Sequence, residues 1–244
     1  KRHKDFGIRS ASATYDFKEI MDRVRNVVRK VAPHDSVERY SKLGVDCYSG
    51  EAKIISPHEV KVAGKTFTTQ NIIIATGARP FVPQIAGIDK IPYLTSDTVW
   101  DLETLPQKLV VAGGGPIGCE LTQCFARLGS QVTQIEMLPR LLFREDEEYG
   151  QAIEAQFARE GIHVRTNTRC KEVVTENGGQ TMIAERDGKV EKIAFDQLLL
   201  AVGRTPSSKG FGLEEIGVSL TKRGEIEVDE YMRTTHKNIF ACGD

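Results

Sequence analysis

From Phe17 onward the apolar residues fall at Phe17, Ile20, Met21, Val24, Val27, Val28 and Val31. Gaps of three and four put them on one stripe of an α-helix. Asp16 stands where an N-cap belongs, with Glu19 three residues on. Acids come early (Glu19, Asp22) and bases late (Arg25, Arg29, Lys30), which suits the helix dipole. The bases are not spread over a polar face, so the helix reads as packed on the protein rather than laid on a membrane.

The pattern then changes period. Val45–Tyr48, Lys53–Ile55, Glu59–Val62 and Thr66–Thr68 are short β-type segments, separated by the turn-like Ser49-Gly50, Ser56-Pro57 and Ala63-Gly64. Continuous apolar runs follow at Ile72–Ala75, Leu109–Ala112 and Leu198–Val202, with a fourth in Asn238–Gly243, and each leads into small residues and glycine. Runs without alternation belong to strands buried on both faces of a parallel sheet. Glycine at their carboxyl ends lets a ligand approach the backbone. Pro80, Pro83, Pro92 and Pro106 mark a crossing between domains. Beyond it, Leu109–Ala112, Pro116–Leu128, Gln131–Glu136, Asp146–Arg159 and His163–Thr166 read as strand, helix, strand, helix, strand. Shorter β segments around Lys171–Thr175, Thr181–Glu185 and Val190–Ala194 form a meander. The expected class is α/β, with a Rossmann-like unit built from a parallel sheet plus that meander.

Composition narrows this further. The chain has 244 residues, enough for about one and a half to two domains. Its formal net charge of -1 argues against a general nucleic-acid binder. No apolar run approaches the roughly 20 residues that span a bilayer, and no signal-peptide pattern opens the chain. Five cysteines (Cys47, Cys119, Cys124, Cys170, Cys242) are too few and scattered for a disulfide framework. A soluble, cytoplasmic protein is expected. The chain opens on Lys-Arg-His-Lys and closes on a strand that stops where a turn should begin, so both ends are expected to lie inside a longer chain.

The strongest chemical signal is Gly113-Gly114-Gly115-Pro116-Ile117-Gly118, which contains G-x-G-x-x-G between a buried-type strand and a helix. A second strand ends at Glu136, 18 residues past Gly118. Gly113 would permit the tight turn, Gly115 leave room for a pyrophosphate, and Gly118 allow close helix–strand packing. The helix N-terminus would supply N–H groups and partial positive charge to phosphates, and Glu136 would accept from the adenosine ribose hydroxyls. A carboxylate there repels a 2′-phosphate and favours NAD over NADP; Arg140 and Arg144, if folded back, would accommodate the phosphate instead.

Cys119 and Cys124 have the spacing of some redox pairs. Inside a helix that spacing is about 7.5 Å of rise with side chains roughly 140° apart, so packing against the sheet is the expected role. The five histidines show no metal-ligand spacing, no metal site is expected, and no nucleophile elbow is present.

Together these residues resemble the flavin-dependent pyridine nucleotide–disulfide oxidoreductases, the group that includes dihydrolipoamide dehydrogenase and mercuric reductase. Ile74-Ala75-Thr76-Gly77-Ala78-Arg79-Pro80 resembles the family's A-T-G-x-x-P exit from the FAD domain, and Gly113–Glu120 its NAD loop G-G-G-x-I-G-x-E. Ala201-Val202-Gly203-Arg204-Thr205-Pro206 resembles the re-entry segment, and Ile239-Phe240-Ala241-Cys242-Gly243-Asp244 the second FAD motif. The resemblance implies an NAD-binding domain over residues 91–210, inserted in an incomplete FAD-binding domain formed by 1–90 and 211–244. It places Glu120 near the nicotinamide and flavin, Glu136 on the ribose, Cys170 beside the adenine, and Gly203 in the NAD site. Gly50, Thr76, Gly77, Ala78 and Asp244 would contact FAD.

The family's first FAD-binding βαβ unit with its redox cysteine pair, and its dimerisation domain with a His–Glu pair, have no counterpart in these residues. The resemblance therefore implies the central fragment of a homodimeric enzyme that passes hydride from NAD(P)H to FAD and electrons to a disulfide or metal-ion acceptor. The fragment alone is expected to bind NAD(H) and not to turn over. Two alternatives stay open: an NADH oxidase or ferredoxin-reductase-like flavoprotein without a redox disulfide, and a non-catalytic NAD-binding module.

Overall fold

The computed structural model describes residues 6–10, 14–176 and 178–244. Helix α1 (Phe17–Val31) forms where the apolar stripe predicts it, and the Asp16 carboxylate accepts from the Glu19 N–H at its N-terminus. A short helix α2 (Val37–Lys42), capped by Ser36, follows. Val45–Tyr48, expected as a strand, has no ladder partner among the described residues and runs as loop. Its β-type residues find no neighbouring strand to pair with, and propensity alone does not make one.

Next come β1 (Ala52–Ser56), β2 (Glu59–Val62) and β3 (Lys65–Thr68), an antiparallel meander. Then follow β4 (Ile72–Ile74), β5 (Ala78–Pro80), β6 (Leu94–Thr95), β7 (Lys108–Ala112), α3 (Pro116–Leu128) and β8 (Gln131–Ile135). Helix α4 (Glu147–Glu160) leads to β9 (His163–Arg165) and to the antiparallel β10 (Thr168–Glu176), β11 (Gly179–Arg186) and β12 (Lys189–Phe195). The chain closes with β13 (Gln197–Leu200), β14 (Arg204–Pro206) and β15 (Ile239–Ala241).

Two compact units result. The first comprises the described part of Lys1–Ala32 together with Gln84–Ala201; the second comprises Pro33–Pro83 and Val202–Asp244. These boundaries differ from the expected 90/91 and 210/211, for local reasons. Phe17 sets its ring 6.2 Å from that of Phe125 on α3, and the Tyr15 hydroxyl donates to the Leu128 carbonyl, so α1 clusters with the first unit. Ile88 sits in that unit's core, whereas β14 pairs antiparallel with β5 in the second.

In the first unit, five strands lie parallel in the order β6-β13-β7-β8-β9. The apolar runs are buried on both faces because the pleat sends alternate residues to two different layers. Val110, Ala112, Leu198 and Leu200 pack with Val173, Met182, Ala184 and Phe195 of the meander, while Leu109, Val111 and Leu199 pack with Phe125. Beyond β7 the chain turns one way to β8 and β9, and β13 and β6 lie on its other side. The carboxyl end of β7 is therefore the topological switch point, where open α/β sheets bind ligands.

The second unit holds β1–β3, the antiparallel pair of β5 with β14, and the parallel pair of β4 with β15. Ile72, Ile74 and Ile239 pack with Ile54, Leu213 and Val218. The expectation of burial on both faces does not hold for β4: Ile73, between two buried neighbours, is 69% exposed. In a strand its side chain points away from that cluster, and no described residue of the unit covers it. Among the described residues no helix is long and apolar enough to cross a membrane.

Candidate dinucleotide site

The glycine turn is built at the switch point. Gly113 follows β7 with φ +116°, a conformation that L side chains rarely adopt, and its N–H donates to the Ile135 carbonyl at 2.9 Å. A Cβ on Gly118 would lie 2.2 Å from the Gly113 carbonyl oxygen, so α3 starts as close to the strand as a backbone can come. A Cβ on Gly115, by contrast, would meet nothing within 4 Å. Gly115 is the N-cap of α3 and offers no side-chain cap, and Pro116 occupies the first helical turn. The free N–H groups of that turn and the partial positive end of the helix thus face open space. Gly113, Gly114 and Gly118 are buried by this packing; Gly115 is half-buried, and Pro116 and Ile117 are exposed.

Glu136 lies beside the turn. Its Oε2 accepts from the Gly114 N–H at 2.5 Å and its Oε1 from the Leu138 N–H at 2.8 Å. The carboxylate is partly exposed, and each oxygen keeps acceptor capacity for a further donor. The Gly114 carbonyl accepts in turn from the Leu142 N–H at 2.8 Å, which ties the following loop to the turn. Arg140 does not reach back towards Glu136. Its guanidinium donates to the carbonyls of Leu142 (2.8 Å), Phe143 (3.0 Å) and Glu145 (2.8 Å) and lies 5.1 Å from the Phe143 ring centroid. Arg144 is exposed.

The remaining residues of interest in this unit divide. Thr168 donates its N–H to the Glu136 carbonyl at 2.8 Å, so β10 departs from the site, with Cys170 two residues along it and packed against the core. Burial pushes the Cys170 thiol up to about 11. Glu120 is exposed on α3. Cys119 is buried, its thiol donating to the Gly114 carbonyl at 3.4 Å, and burial holds it up at about 11. Cys124 is exposed, against the expectation that both cysteines pack on the sheet. Roughly 140° of rotation separates two residues five apart on a helix, so only Cys119 faces inward. All five cysteines are free.

The sequence alone does not single out Gln134. It is fully buried, and its Nε2 donates to the Gly113 carbonyl at 2.8 Å. The available signal was a glutamine between Val132 and Ile135 in a strand otherwise suited to burial on both faces.

In the second unit, β4 and β15 run parallel in register, Ile74 opposite Ala241, so Ala75-Thr76-Gly77 and Cys242-Gly243-Asp244 leave the same end of the pair. The Cys242 N–H donates to the Ile74 carbonyl at 3.0 Å. The Thr76 hydroxyl donates to the Ser207 carbonyl at 2.6 Å and the Ser207 N–H to the Gly77 carbonyl at 2.9 Å. Ala78 opens β5, and its carbonyl accepts from Arg204, which also pairs with the Asp244 carboxylate at 2.5 Å. Gly50 precedes β1, close to Val62 and Ala63. Gly203, expected in the NAD site, falls in this unit, where its carbonyl accepts from the Phe81 N–H at 3.0 Å.

Comparison with known proteins returns one family. The model described as pyridine nucleotide-disulphide oxidoreductase matches residues 7–244. A mercuric reductase of Staphylococcus aureus is 33% identical over 239 residues, covering 98% of this chain and 44% of the relative. A dihydrolipoyl dehydrogenase of Geobacillus stearothermophilus is 35% identical over 250 residues, covering 100% of this chain and 52% of the relative. Among solved structures, an HOCl-induced flavoprotein disulfide reductase from Escherichia coli superposes with a TM-score of 0.84 at 30% identity, covering 94% of this chain and 52% of that one. The chain thus spans about half the length of the curated relatives it matches.

Proposed function

The chain belongs to the pyridine nucleotide-disulphide oxidoreductase family, and from that membership we propose that it supplies the dinucleotide-binding centre of a flavin-dependent oxidoreductase. The observation that carries the reading is the uncapped start of α3 at the switch point, open above Gly115 and flanked by the Glu136 carboxylate.

The residues fit a dinucleotide. The backbone of Gly113, Gly114, Gly115, Pro116, Ile117 and Gly118 would hold the diphosphate, Glu136 the adenosine ribose, and Cys170 would lie beside the adenine. Gly203 would line the nicotinamide end and Glu120 would serve near the reacting rings. For FAD the corresponding set is Gly50, Thr76, Gly77, Ala78 and Asp244, on the strand ends of the second unit. When bound, the reduced nicotinamide supplies a hydride and the flavin accepts it, passing electrons to the acceptor. The protein's own part is to bind, orient and exclude water: the helix N-terminus neutralises phosphate charge, and the buried turn holds its N–H groups in fixed positions.

NAD is favoured over NADP. Glu136 presents negative charge where a 2′-phosphate would sit, and the Arg140 guanidinium is engaged by the backbone carbonyls of Leu141, Leu142, Phe143 and Glu145. The acceptor is proposed to be a disulfide or a metal ion, in line with relatives named disulfide reductase and mercuric reductase. A homodimeric, cytoplasmic enzyme acting on a small molecule or disulfide goes with this reading. The 244-residue chain alone would bind NADH without steady-state turnover. The test is anaerobic stopped-flow mixing of the full-length, flavin-loaded protein with NADH. Rapid bleaching of the flavin is expected, and a flavin that stays oxidised under excess NADH would refute the proposal.

A further inference from the structure

We infer that Gln134 is a positioning residue for the dinucleotide turn, holding the Gly113 peptide from beneath; the inference rests on the dinucleotide reading of that turn. Gln134 is fully buried on β8, an interior strand of the parallel sheet. Its Nε2 donates to the Gly113 carbonyl at 2.8 Å and approaches the Cys119 Sγ at 3.6 Å. The amide orientation follows from its partner, because only the N–H end can face a carbonyl. Its Oε1 is buried without a hydrogen-bond partner.

The cost of that arrangement is what points to a role. A buried, unpartnered amide oxygen destabilises the fold, and the neighbouring Val132 and Ile135 show that apolar residues suit this strand. Stability alone would favour a third one. What the amide provides is a donor for Gly113. That carbonyl is directed into the crevice between β7 and α3, where it lies 2.2 Å from the position of a Cβ on Gly118, and such a Cβ would also lie 3.2 Å from Gln134 Nε2. Gln134, Gly113 and Gly118 therefore meet at one point, under the start of the helix.

Without the donor, the Gly113 carbonyl would be left buried and unsatisfied. The cheapest relief is rotation of the peptide between Gly113 and Gly114, since glycines on both sides offer little resistance. That rotation swings the Gly114 N–H away from Glu136 and re-aims the groups that follow it. Gln134 touches no ligand in this account. It acts on the nucleotide through the turn.

The experiment uses the full-length, flavin-loaded protein and its Gln134→Met variant, which keeps side-chain length and removes the donor. The expected result is a KM and Kd for NADH raised about five- to tenfold, with kcat at saturating NADH retained and the melting temperature unchanged or slightly raised. An unchanged KM overturns the inference. So does a loss of affinity that only tracks a fall in melting temperature, since that assigns Gln134 to packing. Gln134→Leu, which likewise removes the donor and suits a buried strand, is the second variant should the first not fold, and it too should raise KM; failure of both to fold assigns the residue to the core. A wild-type protein that binds no NADH removes the dinucleotide reading itself, and this inference with it.

Discussion

Two pairs of parallel strands end in glycine in this molecule, and they differ in what surrounds them. In the first unit β7 and β13 sit inside a five-stranded sheet, and Leu109, Val110, Val111, Leu198, Leu199 and Leu200 are all at most 1% exposed. In the second, β4 and β15 form a two-stranded sheet with only an isolated bridge from Phe240 to Arg233 beyond it, and Ile73 is 69% exposed. The local sequences are alike: an apolar run, then small residues. Burial comes from the neighbours supplied by the rest of the unit, and a run reads as buried before those neighbours are known.

The sharpest way to break this comparison is a methyl group in the glycine-rich segment that follows one strand of each pair. Gly118→Ala forces a Cβ to within 2.2 Å of the Gly113 carbonyl oxygen, a backbone atom that cannot swing aside as a side chain would. Denaturant unfolding is expected to register a loss of about 3 kcal/mol in the first unit. Gly77→Ala meets no atom within 4 Å and carries only the strain of φ +67°, about 1 kcal/mol. Equal losses at the two sites would remove the contrast. A second pair tests the sheets themselves. Val111→Ser is expected to cost about 2–3 kcal/mol, and Ile73→Ser less than about 0.5 kcal/mol in the 244-residue chain. A costly Ile73→Ser would mean that the outer face of β4 is covered.

A smaller effect distinguishes the site from its scaffold. Glu136→Gln should weaken NADH binding about tenfold, the loss of a charge-assisted hydrogen bond, and should narrow the gap to NADPH. An unaltered ratio of the two affinities would place the ribose elsewhere. The smallest effect concerns thiols. Cys119 ionises near 11 because burial disfavours its thiolate, whereas an unfolded thiol ionises near 9. The folded form therefore gains from Cys119 below pH 9 and loses that gain as pH rises from 9 to 11. Labelling at pH 8 should accordingly modify Cys124 rapidly and Cys119 slowly; equal rates would show Cys119 to be accessible.

What was legible in the sequence was local. The span of α3, the turn at Gly113 and the carboxylate at Glu136 all follow from glycine and periodicity within about 25 residues. The parallel sheet and its meander were legible for the same reason. What could not be read depended on distant partners. Helix α1 joins the first unit through Phe17 on Phe125 and Tyr15 on Leu128, contacts that periodicity cannot specify. Val45–Tyr48 has strand-type residues and no strand to pair with. Arg140 could in principle serve a phosphate, and only the folded loop shows its guanidinium turned onto carbonyls. Nothing near Gln134 in the sequence marks its role, which depends on the Gly113 carbonyl 21 residues before it.

The central claim is that the open start of α3 and the Glu136 carboxylate together receive an adenine dinucleotide without a 2′-phosphate. Calorimetric titration of one protein preparation with NADH and then NADPH, at the same ionic strength, tests it most directly. Saturable binding of one NADH per chain, tighter than NADPH, is the predicted result. Tighter binding of NADPH, or no saturable binding of either, would contradict it.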